Sequence, residues 1–223
     1  MSGKTNIVLT GVGGQGVITA ANILGKAAVR ADVDIYVSEV HGMAQRGGAV
    51  NCTVRIGDVS GPLVAKGTAD VIVSTEPVEA LRNISFANKK TKVITDVNAV
   101  VPFTVAVGGE KYPDLDDVYS EIQSHGILYK IDALKIAKNS GAAITKNIVM
   151  LGALAASDVL PFDSDILLET ILINVPEKYK EINKKAFESG MKSIKKIAIV
   201  VIVGIMFLLI VYLPLVLLSP LLI

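Results

Sequence analysis

The run Asn6-Ile7-Val8-Leu9-Thr10 leads straight into Gly11-Val12-Gly13-Gly14-Gln15-Gly16, and that junction restricts the fold more than any other stretch. Apolar residues on consecutive positions fit a strand covered on both faces, the condition of a parallel sheet. Glycines placed directly after such a strand allow a tight turn. They also bring backbone N–H groups close to an oxygen-rich ligand at the start of the next helix. Val17, Ile18, Ala21, Leu24, Gly25 and Ala28 then recur at helical spacing, which predicts a helix over residues 14–30.

Further strands are predicted at 34–38, 50–56, 71–74, 92–95 and 126–131, the last followed by a helix over 132–139. Within 48–60, Asn51, Thr53 and Arg55 alternate with Val50, Cys52, Val54 and Ile56, the mark of a half-exposed strand and of a hairpin. Asp114, Asp116 and Asp117 read as a solvated acidic turn. From 145 to 190 three helices are expected, split near Pro161 and at Pro176, the latter suited to a helix N1 position. Strands alternating with helices predict an α/β fold: Rossmann-like, with a mainly parallel, doubly wound sheet and a helical C-terminal part. The domain is expected to occupy residues 1–192.

Residues 193–223 are a different material. From Ile197 to Ile223 there is no charged residue, and this tail accounts for part of the 51% hydrophobic content. A helix from Ile197 to Leu218 would be about 33 Å long, enough to cross a hydrocarbon core of about 30 Å. Lys192, Lys195 and Lys196 precede it. The expectation is a terminal transmembrane helix that leaves the folded domain in the cytoplasm.

With 22 basic and 21 acidic residues, the net charge of +1 gives no basis for a broad nucleic-acid surface. Cys52 is the only cysteine and His41 and His125 the only histidines, so neither an iron–sulfur cluster nor a cysteine-rich zinc site fits. No catalytic residue set and no metal site is readable. Candidate binding residues fall on two runs. Gly11, Gly13, Gly14, Gln15 and Gly16 form the first. The second is Ser38-Glu39-Val40-His41-Gly42-Met43-Ala44-Gln45-Arg46-Gly47-Gly48, where His41, Gln45 and Arg46 carry the chemistry. Arg46 can clamp a phosphate or carboxylate with two parallel hydrogen bonds, and the loop is too polar and glycine-rich to be core. A dinucleotide alternative remains open, with Glu39 on a ribose hydroxyl; it would make the chain a membrane-tethered nucleotide-binding regulator.

These runs, together with Ala69-Asp-Val-Ile-Val73, Glu76-Pro77 and Lys146-Asn-Ile-Val-Met-Leu-Gly152, resemble the gamma-type subunits of the 2-oxoacid:ferredoxin oxidoreductases. Within that family the indolepyruvate branch, whose corresponding chain is called the beta subunit, is the nearest match. The resemblance covers about residues 5–190. It implies an accessory subunit of an enzyme that oxidatively decarboxylates an aryl 2-oxoacid to an acyl-CoA, carbon dioxide and reduced ferredoxin. It also implies that thiamine diphosphate and [4Fe-4S] clusters sit on a large partner subunit and that coenzyme A is a co-substrate. Gamma subunits acting on pyruvate, 2-oxoisovalerate or 2-oxoglutarate are the alternative within the family. Gly11, Gly13, Gly14, Gln15, Gly16, His41, Gln45 and Arg46 would then help hold coenzyme A or close the cavity over thiamine. The apolar tail is not part of the family pattern.

Overall fold

The computed structural model describes residues 3–41, 47–101, 105 and 111–194. Strands β1 (Thr5–Val12), β2 (Ile35–His41), β3 (Ala49–Ile56), β4 (Val71–Ser74), β5 (Lys92–Asp96) and β6 (Ile127–Ile131) form one sheet in the order β2-β3-β1-β4-β5-β6. β1, β4, β5 and β6 run parallel, whereas β3 is antiparallel to both neighbours, β1 and β2. The helices are α1 (Val17–Arg30), α2 (Pro77–Arg82), α3 (Leu115–His125), α4 (Ala133–Ser140), α5 (Lys146–Ala155), α6 (Ser164–Ile173) and α7, residues 180–194.

Alternation along the strands divides the core in two. Ile7 and Leu9 of β1, Val71 and Val73 of β4 and Ile94 of β5 join a cluster with α1, α4, α5, α6 and α7. Val8, Ile72 and Val93 point to the opposite face, against Ala80 of α2 and Val118 and Ile122 of α3. The sheet is thus doubly wound and mainly parallel, as the sequence predicts. Each fully buried aliphatic side chain contributes roughly 1.5–3 kcal/mol. Small residues on α1 (Ala20, Ala21, Ala27 and Ala28) are all buried and let that helix lie close to the sheet.

Four local expectations need correction. α1 begins at Val17 rather than at 14, because Gly14 (φ +94°) and Gly16 (φ +79°) adopt left-handed conformations that cannot belong to a right-handed helix. β2 continues to His41 instead of stopping at 38, since Glu39, Val40 and His41 keep pairing with Cys52, Asn51 and Val50. Asp114, Asp116 and Asp117 are exposed to solvent as expected, but they form a helix start rather than a turn: the Asp114 side chain accepts from Asp116 N at 2.8 Å as the cap, and Asp116 and Asp117 occupy the first turn of α3. There they complement the positive end of the helix dipole. Pro176 stands one position outside a short 3-10 turn, Glu177–Tyr179, that leads into α7.

The tail expected to span a membrane, residues 193–223, lies outside the described residues from 195 onward. Among the described residues no helix is long and apolar enough to cross a membrane.

α5 and α7 meet backbone to backbone. A Cβ on Gly152 would fall 2.1 Å from the Phe187 carbonyl oxygen, and one on Gly190 would fall 2.1 Å from that of Val149. In an isolated helix, Gly→Ala is favourable by about 1 kcal/mol. At this crossing the sign reverses, since the obstructing atom is backbone. Gly152→Ala is expected to lower the unfolding free energy by about 2 kcal/mol, read as a lower urea midpoint with an unchanged slope.

Candidate functional site

β1 leads to α1 on one face of the sheet, and the neighbouring β4 leads to α2 on the other. The crevice between their C-terminal ends is therefore the topological switch point, where open α/β sheets bind ligands. The glycine loop lies there. Its turn is closed by Gln15 N donating to Val12 O at 3.1 Å, and Ala20 N donating to Gly16 O at 2.9 Å makes the first helical bond of α1. Gly16 caps α1 without a side-chain hydrogen bond, and the first turn holds no acid. The positive end of the helix dipole is therefore not offset by a capping or acidic side chain.

The glycines serve different ends. Gly14 has open space around its Cβ position and is needed only for its left-handed backbone. A Cβ on Gly11 would collide with the Thr75 hydroxyl at 1.9 Å, and one on Gly16 with Asn147 Nδ2 at 2.7 Å. Gln15 folds back beneath the loop, its Oε1 accepting from Val12 N at 2.9 Å and from the Thr75 hydroxyl at 2.5 Å.

The second motif arrives through the β2–β3 hairpin. Gly13 N donates to Gly48 O at 2.8 Å and Gly47 N donates to Gly13 O at 3.4 Å, so the hairpin's return limb is fastened to the glycine loop. His41 is placed by its backbone at the end of β2, opposite Val50. Gln45 and Arg46 lie outside the described residues. The structure thus brings Gly11, Gly13, Gly14, Gln15 and Gly16 together with the base of the hairpin that carries the other three.

The hairpin also bears on the dinucleotide alternative. β3 separates β2 from β1, which puts Glu39 two strand spacings, roughly 10 Å, from the strand that leads into the glycine loop. A ribose-binding acid belongs on the adjacent strand, so this order does not favour that alternative. Cys52, opposite Glu39, is fully buried; burial, reinforced by the Glu39 charge, pushes its thiol up to about 11. It is a packed core thiol and no nucleophile at neutral pH.

Several residues at the site belong to neither of the two candidate binding runs. Asp96, fully buried at the end of β5, accepts from Ala133 N at 3.1 Å and from Asn98 Nδ2 at 2.8 Å. Its other oxygen lies 2.9 Å from Lys146 Nζ, a charge contact outside hydrogen-bond alignment. Lys146, the first residue of α5, also donates to Thr75 O at 3.1 Å. Glu76 caps α2 by accepting from Glu79 N at 2.8 Å and takes the Tyr112 hydroxyl on its other oxygen. Burial, then the Glu76 carboxylate, push the Tyr112 phenol well above its ordinary range. Thr75, Glu76 and Asp96 could have been found from their position at or just beyond the C-terminal ends of parallel strands, whereas Lys146 and Tyr112 lie far in sequence from any strand end. Among the described residues no cluster of His, Cys, Asp and Glu could hold a metal ion.

A family model described as pyruvate ferredoxin/flavodoxin oxidoreductase matches residues 6–193. The indolepyruvate oxidoreductase subunit IorB of Thermococcus kodakarensis is 45% identical over 194 residues, covering 86% of this chain and 96% of that relative. The 2-oxoglutarate synthase subunit KorC of Methanocaldococcus jannaschii is 30% identical over 199 residues, covering 87% of this chain and 96% of that relative. Among solved structures, a 2-oxoglutarate:ferredoxin oxidoreductase from Magnetococcus marinus, determined with 2-oxoglutarate, coenzyme A and succinyl-CoA bound, superposes with a TM-score of 0.66 at 23% identity. That likeness covers 86% of this chain and 31% of the other, and shows a shared fold.

Removing the ammonium from this site would leave Asp96 charged and buried without a counter-ion. Lys146→Met is expected to cost about 3–5 kcal/mol, measured by chemical denaturation. The double variant Lys146→Met with Asp96→Asn should recover most of that loss.

Proposed function

The chain belongs to the pyruvate ferredoxin/flavodoxin oxidoreductase family, and from that premise we propose that it is the accessory subunit of an indolepyruvate-type 2-oxoacid:ferredoxin oxidoreductase. In this role it supports CoA-dependent oxidative decarboxylation of an aryl 2-oxoacid to an acyl-CoA, carbon dioxide and reduced ferredoxin. Higher identity to an indolepyruvate subunit than to a 2-oxoglutarate subunit supports the choice of substrate class. One buried cysteine cannot ligate a [4Fe-4S] cluster. In this reading, which follows from the family membership, thiamine diphosphate and the clusters belong to a large partner subunit, and ferredoxin is the acceptor of the whole complex.

The observation that carries the site assignment is the pair of backbone bonds fastening Gly47 and Gly48 to Gly13. They tie the start of β3's limb to the glycine loop, which offers N–H donors, and this supports reading that loop and the run carrying His41, Gln45 and Arg46 as one surface. Coenzyme A is an acceptor-rich polyanion and suits such a surface. Arg46 supplies the anion anchor in this reading, while Gly11, Gly13, Gly14, Gln15 and Gly16 shape and line the loop. The tail over 193–223 would anchor the complex in a membrane and leave the domain in the cytoplasm.

The test is a mild-detergent pull-down of the tagged full chain, assayed for CoA-dependent dye reduction with arylpyruvates and with 2-oxoglutarate. Co-purification of a large thiamine and iron–sulfur subunit, active on arylpyruvates, is the expected result; activity on 2-oxoglutarate alone would reassign the substrate, and a chain recovered alone would refute the subunit role. In the assembled complex, Arg46→Ala should raise the apparent KM for coenzyme A about tenfold, the worth of one charge-assisted hydrogen bond, with kcat little changed. Truncation after Ile194, which keeps the last core residue of α7, should move the protein from the membrane fraction to the soluble one; an unchanged distribution would refute the anchor.

A further inference from the structure

We propose that Thr75 and Lys146 are positioning residues of the glycine loop, which fix the Gln15 carboxamide so that its NH2 group is presented to an acceptor oxygen of coenzyme A. The inference rests on the reading that this loop receives coenzyme A, and deepens it by assigning residues that lie outside both sequence motifs' binding sets.

The orientation of Gln15 is determined by chemistry. Val12 N–H can only donate, so the atom 2.9 Å from it must be the carboxamide oxygen. The Thr75 hydroxyl donates to that same oxygen at 2.5 Å, which fills its second lone pair. The Nε2 group therefore projects from the opposite end of the amide, and among the described residues it has no hydrogen-bond partner. Gln15 itself is only partly buried. Two preset donors on a fixed planar group are complementary to a phosphate oxygen or to an amide carbonyl, both of which coenzyme A carries.

Thr75 is fixed in turn. It is 5% exposed, its N–H donates to Thr10 O at 3.0 Å, and its carbonyl accepts from Lys146 Nζ at 3.1 Å. Lys146 is held by buried Asp96, 2.9 Å away. The Thr75 hydroxyl occupies space above β1 that only a glycine at position 11 leaves open. A chain of contacts thus runs from Asp96 through Lys146 and Thr75 to Gln15 and the end of β1, with no exposed link that solvent could replace cheaply. These residues touch no ligand in the proposal. They act through Gln15.

Thr75→Val, which keeps the shape and loses the hydroxyl, and Thr75→Ser, which keeps the hydroxyl and loses the methyl group, separate the hydrogen bond from the volume. Two readouts are taken on the full chain in its assembled complex: amide hydrogen exchange at Val12, whose N–H donates to Gln15, and steady-state kinetics with coenzyme A. Thr75→Val should quicken Val12 exchange and raise the KM for coenzyme A, each about tenfold for one lost hydrogen bond. The kcat and the KM for the oxoacid should stay within about twofold, and Thr75→Ser should match wild type in both readouts. Lys146→Arg should lie closer to wild type than Lys146→Met.

Unchanged Val12 exchange in Thr75→Val would overturn the proposal, whatever the kinetics. Quickened exchange with an unchanged KM would overturn it as well, and Gln15→Ala then locates the fault. If Gln15→Ala raises the KM, only the positioning role fails; if it does not, the coenzyme A reading of the loop fails too.

Discussion

Beyond the end of β4 the chain comes so close to β1 that a Cβ at Gly11 would lie 1.9 Å from the Thr75 hydroxyl. That approach organises the functional end of the sheet. It lets Thr75 reach Gln15, lets Gln15 take the Val12 N–H, and leaves the N-terminus of α1 without a side-chain cap. The position of β1 makes the geometry stiff. The strand is buried along its whole length and paired on both sides, antiparallel to β3 and parallel to β4. A loop held by such a strand spends little conformational entropy when it meets a ligand, because the ordering was completed on folding.

The insertion of β3 between β1 and β2 distinguishes this sheet from a simple nucleotide-binding one. A βαβ unit would place β2 beside β1. Here the hairpin occupies that place and returns its Gly47–Gly48 limb to the glycine loop. The two motifs sit some 30 positions apart in sequence, yet they meet because β3, which follows the second, runs antiparallel beside β1 and so starts next to the glycine loop.

Much of this was legible in the residues themselves. The alternation of Asn51, Thr53 and Arg55 with buried Cys52, Val54 and Ile56 marked β3 and its half-covered face. Continuous apolar runs at β1 and β4 marked strands with two covered faces. The join between the glycine loop and the hairpin was not legible, because strand order is decided by packing between distant elements and leaves no local pattern. Asp96, Lys146 and Thr75 were hidden for the same reason. Lys146 opens a run that carries the family resemblance, but nothing local gives any of the three a role at the site, and the 50 positions from Asp96 to Lys146 close only when α5 packs across the sheet. The exposure of Asp114 was read correctly but its secondary structure was not, for a different reason. Three nearby acids describe a solvated turn and a helix N-terminus equally well, and the sign of the helix dipole decides between them.

Ile194, near the end of the domain, is still 4% exposed and belongs to the main core. Only Lys195 and Lys196 separate it from the uncharged run that begins at Ile197. Two residues extend at most about 7 Å, which is less than the diameter of a helix with its side chains. If a bilayer holds that run, the domain has no leash. It would lie against the headgroups in a restricted set of attitudes, so a partner would meet it with one side closed off and with the domain's own rotational freedom already reduced.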